Sequence, residues 1–234
     1  MSVTDTKNIL FTRSLSPEHL RYASQLDLLL TAKAFIQIEE IPISTEKIDL
    51  LNSEAKASWI FTSQNAVKSL SDHVDSLENL KDKKVFAVGE RTAEALWKIG
   101  VKAQIPKLHN SQSLLDLLEK DNANSFIHFT GNLHQNILSD FMYEKKFEFT
   151  EIQCYRTELI QPEVSIHEFD AVCFCSPSAV ISFFTKYKID ESLPCVAIGS
   201  TTAVKLLDYT DHIVMSERTN VYSMLEICND YLNS

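Results

Sequence analysis

The stretch WIFTSQNAV at residues 59–67 decides the fold, because the chain repeats it as VCFCSPSAV at residues 172–180. A second pair behaves in the same way, since FAVGERTA at 86–93 returns as VAIGSTTA at 196–203. In all four places an apolar run, typical of a buried strand, ends in small polar residues where a helix begins. The sequence therefore predicts two similar α/β domains.

The repeat extends beyond these motifs. SLLDL at 113–117 and SMLEI at 223–227 keep the offset of 110 residues that relates Gly89 to Gly199. The offset is 113 between Ser63 and Ser176, and 118 between the dipeptides at 11–12 and 129–130. This period is far longer than the roughly 20–50 residues of solenoid repeats. The chain is therefore interpreted as a doubled domain with small insertions between its copies.

The composition narrows the class of protein. With 234 residues and 44% hydrophobic residues, the chain has room for two packed domains of about 100–120 residues each. Its formal net charge of −10 opposes binding to nucleic acid or anionic membranes, which needs a basic surface. No apolar stretch approaches the length of a membrane helix, and the N-terminus lacks the features of a secretory signal. Five cysteines, mostly in apolar strands, indicate reduced thiols. We expect a cytoplasmic monomer.

Short apolar strands alternate with helices along the chain, which predicts parallel, doubly wound sheets. Residues 17–30 show helical spacing, with Ser16 as the N-cap and Pro17 at the first helical position. Residues 35–43 and 147–157 are predicted strands. Gly100 is expected to end a helix in the left-handed conformation. In such sheets ligands bind beyond the carboxyl ends of the strands, where the small polar residues lie.

These strand-to-helix junctions are candidate anion sites, because the first turn of a helix leaves N–H groups unpaired and carries partial positive charge. The alternative is purely structural, with tight turns and side chains that cap helices, and for any one junction this alternative is favoured. Asn65 and Ser178 are predicted N-caps, while Ser63 and Ser176 are candidates to bind carboxylates. The candidate binding residues are Arg13, Ser63, Asn65, Gly89, Thr92, Thr130, Gly131, Ser176, Ser178, Gly199, Thr201 and Thr202.

One aromatic residue, Tyr155, occurs in a single copy of the repeat. In a strand, a tyrosine is usually part of the core or sheet surface, but a phenol in a cleft can also donate a proton. Cys173 and Cys175 share a strand face, and without further ligands at suitable spacing we interpret them as packing residues. The seven histidines are scattered, and no metal site or catalytic triad is predicted.

Taken together, these motifs resemble the uroporphyrinogen-III synthase family over nearly the whole chain. The resemblance rests on the order and spacing of short motifs: the strand ending at Thr12-Arg13, FTSxNAV at 61–67, VGxxTA at 88–93, TGN at 130–132, YxT at 155–157, FxSPSA at 174–179 and AIGxTTA at 197–203.

The resemblance implies two flavodoxin-like domains, doubly wound with parallel sheets and joined by a two-stranded connector. Domain 1 would be discontinuous, with residues 1–37 and 158–234, and domain 2 would span residues 44–150. Residues 38–43 and 151–157 would be the connectors.

The resemblance also implies an activity. The family closes the linear tetrapyrrole hydroxymethylbilane to uroporphyrinogen III, with loss of water and inversion of the last pyrrole ring, and it uses no metal or organic cofactor. The substrate is a small polycarboxylate, and Tyr155 would assist departure of its hydroxyl. Many relatives carry an arginine shortly after the motif at 130–132, where this chain has His134 and Gln135. The alternative hypothesis is a non-catalytic, two-domain protein that binds a small anion.

Overall fold

A computed structural model of the chain describes residues 6–54, 56–71, 82–108, 111–134 and 136–233. Its strands are β1 (Lys7–Phe11), β2 (Leu28–Ala32), β3 (Ile36–Glu40), β4 (Ser58–Phe61), β5 (Val85–Ala87), β6 (Ala103–Gln104), β7 (Ser125–Gly131), β8 (Glu148–Leu159), β9 (Ala171–Phe174), β10 (Cys195–Ala197) and β11 (Ile213–Met215). Its α-helices are α1 (Pro17–Gln25), α2 (Thr45–Ser53), α3 (Gln64–Ser71), α4 (Glu90–Lys98), α5 (Ser111–Glu119), α6 (Ile137–Lys145), α7 (Pro177–Lys186), α8 (Ser200–Leu206) and α9 (Val221–Leu232).

Contacts divide the chain into two compact units. Unit 1 comprises Met1–Gln37 and Glu158–Ser234, and unit 2 comprises Ile38–Thr157. The sheet of unit 1 has the order β11-β10-β9-β1-β2, and every neighbouring pair is parallel. The second sheet has the order β3-β8-β7-β4-β5-β6, and its pairs from β8 to β6 are parallel. The predicted fold class, α/β with two parallel-sheet units, is confirmed.

The two sheets have the same strand order, but the first strand along the chain occupies a different position in each sheet. The offsets of the repeat relate β4, β5 and β7 of unit 2 to β9, β10 and β1 of unit 1. The orders β8-β7-β4-β5-β6 and β2-β1-β9-β10-β11 therefore correspond strand for strand. In unit 2, the first of these five strands along the chain is β4. In unit 1, the first is β1, and the chain returns to form β9 only after it has formed unit 2. The second unit is thus a circular permutation of the first.

Each sheet is covered on both faces by helices, which explains why the central strands are apolar throughout. In unit 1, Phe11 belongs to one buried cluster and Leu10, the preceding residue, belongs to another. In unit 2, Phe61 and Ile60 divide between two clusters in the same way. Successive side chains of a strand point to opposite faces, so both faces of each sheet form a core.

The N-terminal helix is shorter than predicted. Ser16 caps α1 and Pro17 begins it, as predicted, but the helix ends at Gln25 and residues 28–30 belong to strand β2. Asp27 adopts a positive φ of 54°, which stops the helix and turns the chain into the sheet. The apolar run after Asp27 fits helical spacing but pairs in parallel with β1. Gly100 has a φ of 81° after α4, as predicted.

Helix α2 lies outside the predicted elements. The hydrophobic pattern that would predict this helix is short, because only Ile48 and Leu51 are buried. Ser44 caps the helix by accepting a hydrogen bond from the backbone N–H of Lys47. No helix among the described residues is long and apolar enough to cross a membrane.

Candidate functional site

Several polar residues of unit 2 lie along one edge of its sheet. The parallel strands β8, β7, β4 and β5 are neighbours, so their carboxyl ends meet at the same edge. The chain changes direction across the sheet between β4 and β7, which is the position where doubly wound sheets bind ligands. At or just after the ends of β4, β5 and β7 lie Thr62, Ser63, Gly89, Thr130 and Gly131. Tyr155 lies within β8, where it pairs with Gly131, the last residue of β7.

An irregularity in β8 places Tyr155 at this edge. Thr130 pairs with Gln153, but Gly131 pairs with Tyr155, so Cys154 is an extra residue in β8. Such a bulge re-aims the side chains that follow it. Cys154 and Tyr155 consequently pack against the same hydrophobic cluster although they are consecutive.

Gly131 makes room for the tyrosine ring. A Cβ atom on Gly131 would lie 2.3 Å from Cε2 and 2.4 Å from Cζ of Tyr155. Asn132 fixes the same strand end, because its Oδ1 accepts from the backbone N–H of Thr157 at 2.7 Å and its Nδ2 donates to the carbonyl of Thr157 at 3.2 Å. The sequence motif at 130–132 thus holds Tyr155 in place.

The Tyr155 phenol is protonated at neutral pH. Burial raises its pKa above the ordinary value of 10.0, and a hydrogen bond with the Ser63 hydroxyl offsets part of this rise. Tyr155 and Ser63 are both partly exposed, so the phenol can reach a ligand. A phenol in this state can donate a proton or a hydrogen bond.

The residues that cap helices α3 and α7 differ from the predicted ones. Asn65 lies inside α3, and its backbone N–H donates to Ser63 Oγ at 3.1 Å. Ser178 likewise lies inside α7, where Ser176 Oγ accepts from the backbone N–H of Ala179 at 3.2 Å. The predictions of Asn65 and Ser178 as caps are therefore wrong, because the serines two residues earlier already bond the first amides of each helix. The hydroxyl groups of Ser63 and Ser176 each keep further hydrogen-bonding capacity with which they could contact a ligand.

The two glycine turns lack side-chain caps. Gly89 and Gly199 are the N-cap residues of α4 and α8, their backbones are extended, and neither helix start has a capping side-chain hydrogen bond. Thr92 and Thr202 are buried in the first turns that follow, whereas Thr201 is exposed. The first amides of α4 thus remain available as hydrogen-bond donors.

Unit 1 has a cation where unit 2 has Gly131. The Thr12 hydroxyl donates to the carbonyl of Cys173 at 2.9 Å, which ties β1 to β9 at the change of direction in this sheet. Arg13 follows Thr12 and is exposed. Among the described residues no carboxylate forms an ion pair with its guanidinium, whose Nε donates to the carbonyl of Ser14 at 3.3 Å.

A pocket of about 200 Å³ opens in unit 2 beside Tyr155. Its polar lining comes from β7, β8 and the loop after β4, and helices α5 and α6 supply much of its apolar wall. The pocket is lined by Thr62, Ser63, Leu114, Leu115, His128, Leu133, His134, Ile137, Leu138 and Tyr155.

A hydrogen-bond network that the sequence alone did not reveal begins at the pocket wall and extends to Glu151. Thr62 Oγ1 lies 3.0 Å from His128 Nε2, and His128 Nδ1 lies 3.0 Å from Glu151 Oε1. His134 Nε2 lies 3.3 Å from the same carboxylate oxygen. The histidines are far apart in sequence from Thr62, and only the pairing of β4, β7 and β8 brings the four side chains together.

Burial and charge act in opposite directions on this network. His128 is 2% exposed, and burial lowers its pKa below the ordinary value of 6.5 although Glu151 opposes the change. The hydrogen bond from His128 lowers the pKa of Glu151, which therefore remains ionised. A neutral His128 beside a carboxylate carries its proton on Nδ1, so Nε2 is free to accept from the Thr62 hydroxyl.

His134 is held by two contacts, to the Gly131 carbonyl at 2.8 Å and to Glu151. Gln135, the other residue considered in place of the family arginine, lies outside the described residues. In the part of the chain that the structure describes, no group of three or more His, Cys, Asp and Glu could hold a metal ion.

The fold and site define an α/β protein of two parallel-sheet units with a phenol, hydroxyls, imidazoles and free amides at its strand ends. A family described as "Uroporphyrinogen-III synthase HemD" matches residues 31–226. The chain therefore belongs to the uroporphyrinogen-III synthase family.

Individual relatives agree with this assignment. The chain is 26% identical over 197 residues to a "Uroporphyrinogen-III synthase" of Chlorobaculum parvum, a match that covers 71% of this chain and 80% of the relative. It is 24% identical over 208 residues to the "Porphyrin biosynthesis protein HemD" of Ruminiclostridium josui, covering 82% of this chain but 41% of that longer protein.

Solved structures share the fold. A mutant uroporphyrinogen III synthase from Thermus thermophilus is similar with a TM-score of 0.75 and 18% identity, and the match covers 97% of this chain and 99% of that one. Uroporphyrinogen-III synthetase from Helicobacter pylori is similar with a TM-score of 0.65 and 18% identity, over 96% and 99% of the two chains.

Proposed function

We propose that the protein closes hydroxymethylbilane to uroporphyrinogen III, with loss of water and inversion of the D ring, as a step of tetrapyrrole biosynthesis toward haem or sirohaem. The family match over residues 31–226 carries this proposal. It supports the synthase over the alternative of a non-catalytic anion-binding protein.

Tyr155 is the proposed catalytic residue. A hydroxymethyl group on a pyrrole ionises readily, because the ring nitrogen donates electrons toward the carbon that loses the hydroxyl. A protonated phenol beside the hydroxyl would assist its departure. Support comes from the position of the Tyr155 ring beside the pocket, where Gly131 and Asn132 fix it.

The proposed substrate-binding groups are mostly neutral hydrogen-bond donors. The acidic chain repels a polycarboxylate at long range, so local groups must supply the attraction. The exposed Arg13 can pair with a carboxylate, and the uncapped amides of α4 can donate to another. Ser63, Asn65, Gly89, Thr92, Thr130, Gly131, Ser176, Ser178, Gly199, Thr201 and Thr202 complete the proposed set.

The remaining parts of the proposal concern organisation. We propose domains at 1–37 with 158–234 and at 44–150, connected by residues 38–43 and 151–157. We also propose a cytoplasmic monomer that acts without a cofactor and binds neither nucleic acid nor membrane. Five free thiols, four of them buried, support a reducing location.

The deciding experiment is incubation of the protein with hydroxymethylbilane, followed by chromatographic separation of the type I and type III isomers. We expect type III to dominate. If only type I forms, as it does without enzyme, the synthase proposal is wrong.

A further inference from the structure

Loss of water during ring closure requires two proton movements. The hydroxyl leaves one end of the substrate and gains a proton as it becomes water. The ring carbon that forms the closing bond loses its own proton, and the electron pair of that C–H bond restores the aromatic ring. An enzyme for this reaction benefits from an acid at the first position and a base at the second. This reasoning rests on the proposed function.

The pocket in unit 2 contains both kinds of group. Tyr155 supplies a protonated phenol, and Thr62 supplies a hydroxyl whose proton is directed at His128. His128 is in turn directed at Glu151. Both hydrogen-bonded distances are 3.0 Å, which is normal for a chain able to pass a proton from a hydroxyl through an imidazole.

The internal repeat shows that packing does not require these polar groups. The offset of 118 residues relates His128 to Leu10, which is fully buried in unit 1. The offset of 113 relates Thr62 to Cys175. The same fold therefore packs with apolar or weakly polar side chains at both positions. A buried imidazole and its partners cost free energy in unit 2 unless they are fully hydrogen-bonded.

We propose that Thr62, His128 and Glu151 form a relay that takes up the ring-carbon proton as the macrocycle closes. Thr62 Oγ1 receives that proton while its own proton passes to His128 Nε2, and the Glu151 carboxylate stabilises the imidazolium. Tyr155 gives its proton to the departing hydroxyl, and the proton held by His128 then returns to Tyr155 through the pocket. The substrate loses one hydroxyl and one proton, and the protein is restored.

Within this relay Thr62 is the group that touches substrate, whereas His128 and Glu151 act through Thr62. Among the described residues, the titratable groups that act on His128 are Glu151, which raises its pKa, and His134, which lowers it. The relay works only while His128 is neutral. Activity should therefore be lost as pH falls through a pKa below 6.5, the ordinary value.

The test compares pH profiles of kcat and KM for the wild type, Thr62→Val, His128→Leu and Glu151→Gln with hydroxymethylbilane. His128→Leu is chosen because unit 1 already packs leucine at this position. We expect kcat to fall about 10²–10⁴-fold in Thr62→Val and His128→Leu, with KM within a few-fold of wild type. In His128→Leu the loss of kcat at acid pH should disappear. In Glu151→Gln that loss should move to lower pH, because the carboxylate that raises the pKa of His128 is gone.

Matched controls separate the relay from folding. Thr185→Val alters an exposed hydroxyl of α7, and His212→Gln alters a histidine of unit 1 that contacts Tyr231, so both should keep the wild-type profile. Melting temperatures verify that each variant folds. If His128→Leu does not fold, Thr62→Val still tests the relay, because valine preserves the side-chain volume of threonine.

The outcomes distinguish the two proposals. The relay would be overturned, and the synthase proposal left intact, by the following result. The wild type forms the type III product, and His128→Leu and Thr62→Val keep both the wild-type kcat and its loss at acid pH. Exclusive type I product from the wild type would overturn the proposed function and the relay with it.

Discussion

Replacement of Gly131 by alanine tests whether the position of the Tyr155 ring controls turnover. The added Cβ would lie 2.3 Å from Cε2 of the ring, whereas ordinary contacts begin near 3.4 Å. The ring must therefore retreat by about 1 Å in a close-packed region. The backbone is no obstacle, because Gly131, unlike Gly100, does not have a positive φ.

This displacement sets the expected magnitude. Misplacing a reacting group by about 1 Å can cost about 10²-fold in rate, which equals roughly 2.7 kcal/mol of activation free energy. Overpacking typically costs about 1–3 kcal/mol of stability. We expect kcat of Gly131→Ala to fall about 100-fold, with a melting temperature lowered by roughly 2–4 °C for each kcal/mol.

The assay measures initial rates of type III formation, with melting followed by circular dichroism. Gly100→Ala is the matched control, because its φ of 81° strains alanine and lowers stability without touching Tyr155. It should melt earlier but keep its kcat at a temperature where it is folded. If Gly131→Ala folds and turns over as fast as the wild type, the argument that glycine positions the phenol is refuted.

Three further changes and one pH dependence follow from the contacts. Tyr155→Phe should lower kcat about 10²–10⁴-fold with little change in melting temperature; equal turnover would remove the acid role. Ser176→Ala should lower the free energy of unfolding in urea by about 1 kcal/mol, because Ser176 caps α7. Thr202→Val should raise KM, whereas a lower melting temperature alone would leave only a packing role. For His128, burial makes the folded-state pKa lower than the unfolded value near 6.5, so the unfolded state binds more protons between the two values. The free energy of unfolding should therefore fall as pH drops from about 6.5 through the folded-state pKa, and less steeply in His128→Leu, as urea titrations at several pH values would measure.

The sequence pattern predicts the parallel sheets well but fails at β2. Residues 28–30 continue the helical spacing of α1, so periodicity alone extends the helix across Asp27. The repeat held the missing signal, because the offset of 118 carries Leu28–Ala32 onto residues 146–150, which overlap the predicted strand at 147–157. Comparison of the copies is thus more informative here than periodicity within one copy.

The site is less predictable than the fold because small local events determine it. The bulge at Cys154 depends on how two strands register, which no pattern in β8 alone reveals. The cap positions differ from the predictions by two residues, because Ser63 and Asn65, like Ser176 and Ser178, are all favourable cap types. The sequence therefore predicts which strand ends carry polar groups, but the structure is needed to assign their roles.

His128 illustrates the same limit at longer range. As a lone histidine in an apolar strand, it gives no sign that Thr62 and Glu151 are its partners, because 66 and 23 residues separate them. Its contrast with Leu10 was visible in the repeat. A polar residue that replaces a buried apolar one in only one copy is a useful signal, since the shared fold does not demand it.

The differences between the copies also separate structural from chemical residues. Thr12 and Thr130 are equivalent and both buried, so the two copies do not differ at this position. The next residue differs: Arg13 is exposed in unit 1, whereas Gly131 in unit 2 leaves space for the Tyr155 ring. One copy thus offers a cation suited to carboxylates, and the other offers a phenol beside a buried imidazole. Because both choices occupy the same place in one fold, the shared fold does not demand either of them, and the proposed roles in binding and proton transfer would account for the difference.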